Sequence, residues 1–167
     1  MTGAGLLSED TAVWRSAAGV AVLTCGPAER AHGVTVSTLC VASLRPPMVS
    51  VALRQGSRGL ATLLSSGRFA ANALSDGQAP LARRFARSDR ADGWDLPDAT
   101  GLWDGRSACG APLLRDAVGW LECRVERTVP VGDHELVLAR VLTSRAGTGS
   151  PLLNTRLTSA LHDRSRR

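Results

Sequence analysis

Four hydroxyl side chains are clustered in the stretch HGVTVSTLCVASLRPPMVSVAL, residues 32–53, which otherwise has the density of β-branched residues typical of strands. These side chains are Thr35, Ser37, Thr38 and Ser43. Strand alternation would turn Thr35 and Ser37 toward one face, which could simply be exposed to solvent. Thr38 and Ser43 instead flank a looser segment before a double proline. Backbone groups freed there, together with the hydroxyls, could hydrogen-bond a planar polar heterocycle such as a flavin ring.

Two further segments could bind polar ligands. GSRGL, residues 56–60, places Ser57 and Arg58 at the start of an expected helix, whose free N–H groups and dipole attract anions. The same residues also fit an ordinary serine cap beside a solvated arginine. VGDHE, residues 131–135, is typical of a hairpin turn, where His134 would be either a surface residue or a contact for substrate or cofactor.

Several common sites are disfavoured by the sequence. A phosphate loop ending in Gly-Lys cannot form because the chain has no lysine, and GAGLLS at 3–8 does not follow a strand. The four cysteines form no CxxC pair and the three histidines are far apart, so we expect no metal site.

The net charge of +5 comes from scattered arginines with few aromatic residues, so we expect no nucleic-acid binding. No apolar run is long enough for a membrane span, and the N-terminus lacks a signal-peptide pattern. The protein is therefore expected to be cytoplasmic.

The elements that would position these residues are mostly strands. Strands are predicted at 19–26, as two strand-like pieces at 33–39 and 40–44, at 48–54 and 68–74, as a long hairpin over 117–144, and as a short strand within 151–157. Helices are predicted at 6–18, 58–67 and 75–89, and residues 90–110 form a long surface excursion. About six sequential strands without regular βαβ alternation favour a closed or partly closed antiparallel barrel with helices at its ends, an α+β fold.

Three stretches together resemble the flavin reductase-like family, the small reductase components of two-component flavin-dependent monooxygenases. They are the 32–53 segment, RGLATLLSSGRFAANALSDGQAPLARRFA and APLLRDAVGWLECRVERTVPVGDHELVLARVL. The resemblance covers residues 10–153 in order and indicates one domain over 1–167, with a flexible tail at 158–167.

The resemblance implies a six-stranded split β-barrel with Greek-key connections, forming a homodimer that binds FMN or FAD between subunits and takes hydride from NADH or NADPH. A partner monooxygenase would receive the reduced flavin. His134 would lie near the nicotinamide, and no metal is implied. The implied flavin contacts are Thr35, Val36, Ser37, Thr38, Ala42, Ser43, Leu44, Ser57 and Arg58, with Asn72, Arg84 and Phe85 supporting the pocket.

One departure concerns the hydride-donor site. The family commonly carries a tyrosine near position 154, whereas this chain has Asn154 and no tyrosine at all, so Trp94 or Trp103 could provide the aromatic support. Two alternatives stay open: an FMN-holding enzyme that oxidises or oxygenates an organic substrate directly, and a non-catalytic flavin-, haem- or other small-ligand-binding module.

Overall fold

The computed structural model of the chain describes residues 18–26, 31–88 and 101–154. The expected helix at 6–18, Trp94 and the tail at 158–167 lie outside these residues. The elements are β1 (Ala21–Cys25), β2 (His32–Val36), β3 (Cys40–Leu44), β4 (Pro47–Arg54), α1 (Arg58–Ser66), β5 (Arg68–Ala73), a 3-10 helix (Asp76–Gln78), α2 (Ala79–Ala86), β6 (Trp103–Arg106), β7 (Pro112–Leu114), β8 (Gly119–Val131) and β9 (His134–Ala146).

The main sheet has seven antiparallel strands in the order β2-β1-β5-β8-β9-β4-β3, and β6 and β7 form a separate hairpin. About six strands were expected, whereas the main sheet alone has seven. The two strand-like pieces expected at 33–39 and 40–44 form β2 and β3, which lie at opposite edges of the sheet. Of the short strand expected within 151–157, the structure describes residues 151–154, which form isolated bridges at Pro151 and Leu153. The expected surface excursion contains β6, and the predicted helix at 75–89 is confined to 76–86 with its first turn in the 3-10 form.

Strand alternation gives the sheet an apolar inner face. Leu23, Val51, Phe69 and Val137 are completely buried there on four different strands. Leu63 of α1 packs against the same cluster. Removing each such side chain from water contributes about 1.5–3 kcal/mol, so this cluster is the principal core.

A second apolar cluster forms on the outer face of the sheet, beneath α2 and β7. Val22, Leu74, Phe85 and Leu114 are buried in it. Phe85 requires a glycine on the facing strand, because a Cβ at Gly33 would lie only 2.5 Å from its ring. The outer face is therefore covered near β1 and β2, whereas no described helix or strand covers it along β4, β9 and the far half of β8.

A short link brings the two edges of the sheet together. β2 and β3 are at opposite edges, yet only residues 37–39 connect them, and a chain of that length reaches at most about 14 Å. The Thr38 hydroxyl donates to the Ala52 carbonyl (2.9 Å) and accepts from the Ala52 N–H (3.1 Å), which joins the link to β4. The sheet must therefore curl until its edges approach each other, although no ladder pairs β2 with β3 in the described part of the chain.

The cysteines differ in environment. Cys25 and Cys123 are fully buried, as expected for small apolar residues, whereas Cys40 is exposed on the edge strand β3. Burial is the largest cause of a raised pKa at Cys123, about 12, with the neighbouring Glu122 carboxylate adding to it. Among the described residues, no helix is both long and apolar enough to cross a bilayer.

Candidate active site

The C-terminal end of β4 meets the turn between β8 and β9. Arg54 is the register partner of His134, and the Gln55 N–H donates to the Asp133 carbonyl (3.0 Å). The Gln55 side-chain amide reaches the His134 carbonyl (3.3 Å) and the Glu135 carboxylate (3.4 Å). Two turns far apart in sequence are thus fixed against each other by paired strands, and the expected hairpin turn is confirmed.

His134 is held by the residue before it. Its Nδ1 lies 2.8 Å from Oδ1 of Asp133, and 42% of its side chain is exposed. The hydrogen bond from His134 is the largest cause of a lowered pKa at the Asp133 carboxyl. The imidazole can therefore offer its other nitrogen, Nε2, to a polar group of a ligand.

The start of α1 follows directly after this junction. Ser57 caps the helix, because its Oγ accepts from the Leu60 N–H at 3.3 Å. Arg58 extends from the first turn and donates to the Ser88 carbonyl at 3.3 Å, beyond the end of α2. The expected serine cap is confirmed, and an exposed guanidinium stands at the helix N-terminus, where an anion would be stabilised.

The link and the edge strand β3 extend away from this corner. Thr38 is exposed, and Ser37 beside it is half-buried, whereas Val36 faces the inner core. Ser43 pairs with Met48 of β4 after a bulge. Because the neighbouring Val49 is buried in the inner core, Ser43 and Met48 lie on the outer face.

β3 is unusually exposed for an apolar strand. Ala42 is exposed, Val41 is 68% exposed and Leu44 is 81% exposed, while Ser43 is half-buried. As an edge strand, β3 has one row of N–H and C=O groups that faces no partner strand among the described residues. Such a row can offer hydrogen bonds to a planar heterocycle with an alternating donor and acceptor edge, and the exposed Leu44 side chain offers apolar surface beside it.

Four of the expected contacts, Thr35, Asn72, Arg84 and Phe85, lie on β2, β5 and α2, and Thr35 and Asn72 have hydrogen-bond partners within the fold. The Thr35 hydroxyl donates to the Ala82 carbonyl of α2 at 2.8 Å. Asn72 is fully buried, donating to the Val22 carbonyl and the Thr24 hydroxyl and accepting from the Leu114 N–H at 2.7 Å. The Thr35 hydroxyl therefore joins β2 to α2, and the Asn72 amide joins β5 to β1 and β7.

Phe85 belongs to the second core cluster, and Arg84 is half-buried beside it on α2. Trp103 packs against Phe85 with ring centroids 6.3 Å apart, so it lies in that cluster rather than at the β8–β9 turn.

The sequence expectations missed Arg54, Gln55 and Asp133, although each contacts a residue that was chosen. Asp133 could have been found from the GDH turn, since a carboxylate next to a histidine is a common hydrogen-bond partner. Gln55 could not, because its contact with the β8–β9 turn depends on the pairing of β4 with β9. No group of three or more metal-binding side chains is found in the described ranges.

Comparison with known proteins assigns this curled antiparallel sheet, with its exposed edge strand and histidine turn, to the flavin reductase class. A model of this class, described as the flavin reductase like domain, matches residues 14–159. The chain belongs to this family.

Individual relatives agree with this assignment. The chain is 39% identical to an NADPH-flavin oxidoreductase of Streptomyces viridifaciens, over 87% of this chain and 74% of the relative. It is 41% identical to an NADH-dependent FMN reductase of Streptomyces nodosus subsp. asukaensis, over 83% and 75%. Its structure is similar to that of a flavin reductase component of a bacterial two-component tryptophan halogenase, with a TM-score of 0.74, 32% identity and coverage of 81% and 84%.

Proposed function

We propose that this protein is an NAD(P)H-dependent flavin reductase that supplies reduced FMN or FAD to a partner monooxygenase. The observation that carries the proposal is the match of residues 14–159 to the flavin reductase like domain. The relatives named above include an NADPH-flavin oxidoreductase, an NADH-dependent FMN reductase and a reductase component of a two-component system. The last of these supports a partner enzyme that consumes reduced flavin. The chain also resembles a styrene monooxygenase flavin reductase of Pseudomonas putida S12, with 35% identity and a TM-score of 0.72, which supports a monooxygenase as that partner.

The exposed edge of the sheet supports a flavin site. Backbone groups of residues 37–44, with Thr38 and Ser43, would hold the pyrimidine edge of the ring and stabilise the negative charge that it gains. Ser57 and Arg58 would bind the phosphate. Thr35, Val36, Asn72, Arg84 and Phe85 would act indirectly, by fixing β2, β5 and α2 behind the edge.

The nicotinamide would bind near the β8–β9 turn. Flavin supplies the hydride-accepting chemistry, and the chain's own residues supply position and electrostatics. His134, fixed through Nδ1 by Asp133, would orient the nicotinamide with Nε2. The open edge would exchange flavin with solvent, which a diffusing product requires.

An apolar part of the outer face supports a homodimer. Ala52, Leu136 and Val129 are register partners across β4, β9 and β8, and Val131 continues the surface with 54% exposure. Contiguous exposed apolar surface of this kind is typical of protein interfaces. A second copy on this surface would border β3, so flavin would bind between subunits.

The remaining proposals concern architecture and location. The short link between the two sheet edges supports a split barrel with Greek-key connections, formed by a single domain. The protein is proposed to act in the cytoplasm.

Turnover measurements test the reductase activity. The purified protein should oxidise NADH or NADPH, followed at 340 nm, when FMN, FAD or riboflavin is added. A folded sample that oxidises neither donor with any flavin would contradict the proposal. Flavin lost on gel filtration is expected for a diffusing substrate, whereas retained flavin would favour an enzyme acting directly on an organic substrate.

Substitutions test the site. Ser43→Ala or Arg58→Ala should weaken FMN binding, measured by quenching of flavin fluorescence, because each removes a donor to the ligand. His134→Ala should slow flavin reduction more than it weakens flavin binding. Unchanged FMN affinity in both of the first two variants would refute the flavin placement.

A further inference from the structure

Three arginines are direct neighbours across three adjacent strands. Arg68 of β5 pairs with Arg124 of β8, and Arg124 pairs with Arg140 of β9. Each follows or precedes a residue of the inner core, so all three side chains lie on the outer face. These three residues are called the arginine row. Their exposed position is shown by Arg124 and Arg140, whose side chains are 49% and 38% exposed.

The row is unfavourable for the fold by itself. Directly opposed residues have Cβ atoms about 4.5–5.5 Å apart, and like charges at that spacing repel. A single carboxylate compensates: Oε1 of Glu126 accepts from Arg124 Nη2 at 3.0 Å and from Arg140 Nε at 2.9 Å. Arg68 forms no ion pair within the described residues, and the row therefore keeps a net positive charge.

Glu126 is placed there by a β-bulge. The β8–β9 register shifts between Val125 and Arg127, which makes Glu126 the extra residue of its strand. Both guanidinium groups converge on one carboxylate oxygen, an arrangement that a phosphate oxygen can also satisfy. The hydrogen bonds from Arg140 and Arg124 lower the pKa of the Glu126 carboxyl, in agreement with a strongly positive environment.

The row lies within reach of the proposed site. The same cross-strand line continues from Arg140 to Met48 and Ser43, which places Ser43 about 10 Å from Arg140. Along β9, Arg140 lies six residue steps from His134 on the same face, about 20 Å. A dinucleotide extended from His134 would bring its adenosine end to the row, whereas one whose nicotinamide stacks on the flavin near Ser43 would bring its pyrophosphate there. Ser57 and Arg58, assigned to the flavin phosphate, are next to the His134 end instead.

We propose that the arginine row binds a phosphate group of the nicotinamide dinucleotide, displacing Glu126 from the two guanidinium groups. The inference rests on the proposed function. The extent of the row favours a small ligand, since two strand spacings, about 10 Å, match a pyrophosphate or phosphomonoester. A protein partner would need about 800 Å² of surface. The phosphate is either the pyrophosphate that NADH and NADPH share or the 2′-phosphate of NADPH alone.

Substitutions that replace a charged side chain by neutral glutamine test the proposal, since one is expected to weaken donor binding and another to strengthen it. Arg124→Gln should raise the KM of the affected donor about tenfold, the effect of losing one charge-assisted hydrogen bond. Glu126→Gln should lower that KM, because it removes the competing carboxylate. Arg83→Gln, an exposed arginine on α2 near the opposite edge of the sheet, is the matched control. Opposite signs in two variants cannot both result from poor folding.

Comparing NADH with NADPH, and turnover with direct binding, distinguishes the possible outcomes. A change for NADPH alone identifies the 2′-phosphate, and equal changes for NADH and NADPH identify the pyrophosphate. Titration calorimetry with NADPH measures the same effects on donor binding without turnover. A protein that binds the donor but reduces no flavin would therefore refute the proposed function and leave phosphate binding by the arginine row standing. The inference fails if neither donor responds, if Arg83→Gln behaves like Arg124→Gln, or if Glu126→Gln weakens binding. It also fails if FMN affinity falls in parallel.

Discussion

Asn72 offers a sharp test of what holds this fold together. Its amide joins three strands, donating to β1 at the Val22 carbonyl and the Thr24 hydroxyl and accepting from the Leu114 N–H of β7. Asn72→Ala leaves the Leu114 N–H unpaired in a fully buried position, which costs about 1–3 kcal/mol. The void left by the amide costs a further ~1–2 kcal/mol.

The expected loss is therefore about 2–5 kcal/mol of unfolding free energy, or roughly 4–20 °C in Tm for a domain of this size. Urea unfolding followed by circular dichroism would measure it. Thr143→Ala, at an exposed site on β9, is the matched control and should change stability by less than about 0.5 kcal/mol. A loss below about 1 kcal/mol for Asn72→Ala would refute the assignment of Asn72 as a buried bridge between strands.

Three further outcomes are expected. Gly33→Ala should lower stability by about 1–3 kcal/mol in thermal unfolding, because its methyl group would meet the Phe85 ring at 2.5 Å; an unchanged Tm would contradict this packing. Asp133 has a lowered pKa through His134, so its contribution to stability is present above pH ~4 and is lost as the pH falls through the folded-state pKa. Asp133→Asn should therefore be less stable than wild type at neutral pH and equal to it in acid, and parallel Tm–pH curves would exclude this. The buried Cys123, with a pKa of about 12, should be alkylated at pH 8 only after unfolding, as mass spectrometry can show; rapid labelling of the native protein would disagree.

Local sequence patterns were sufficient to predict the regular helix and the long hairpin. The helix expected at 58–67 is observed at Arg58–Ser66, with Ser57 as its cap and Gly67 in the left-handed conformation that ends it. The hairpin expected over 117–144 forms around the predicted turn. These features depend on residues a few positions apart, so their physical causes are visible in the sequence.

The hydrogen-bond partners of hydroxyl and amide side chains could not be predicted from local sequence patterns. The sequence did not decide whether the Thr35 side chain faces solvent or a ligand. In the structure its hydroxyl donates to the Ala82 carbonyl of α2, 47 residues later. Asn72 and Phe85 were expected beside a ligand and lie in or next to a buried cluster. Periodicity indicates which residues share a face, but it cannot indicate which element covers that face.

The sequence by itself determined the strand-rich character of the chain, the capped helix, the histidine turn and the resemblance that identified the family. Only the tertiary structure decided that β2 and β3 lie at opposite edges of one curled sheet. It also placed Gln55 against the turn that carries His134, and it aligned three arginines across β5, β8 and β9. The physical reason is that strand order and register are set by long-range pairing and burial, which no short segment encodes.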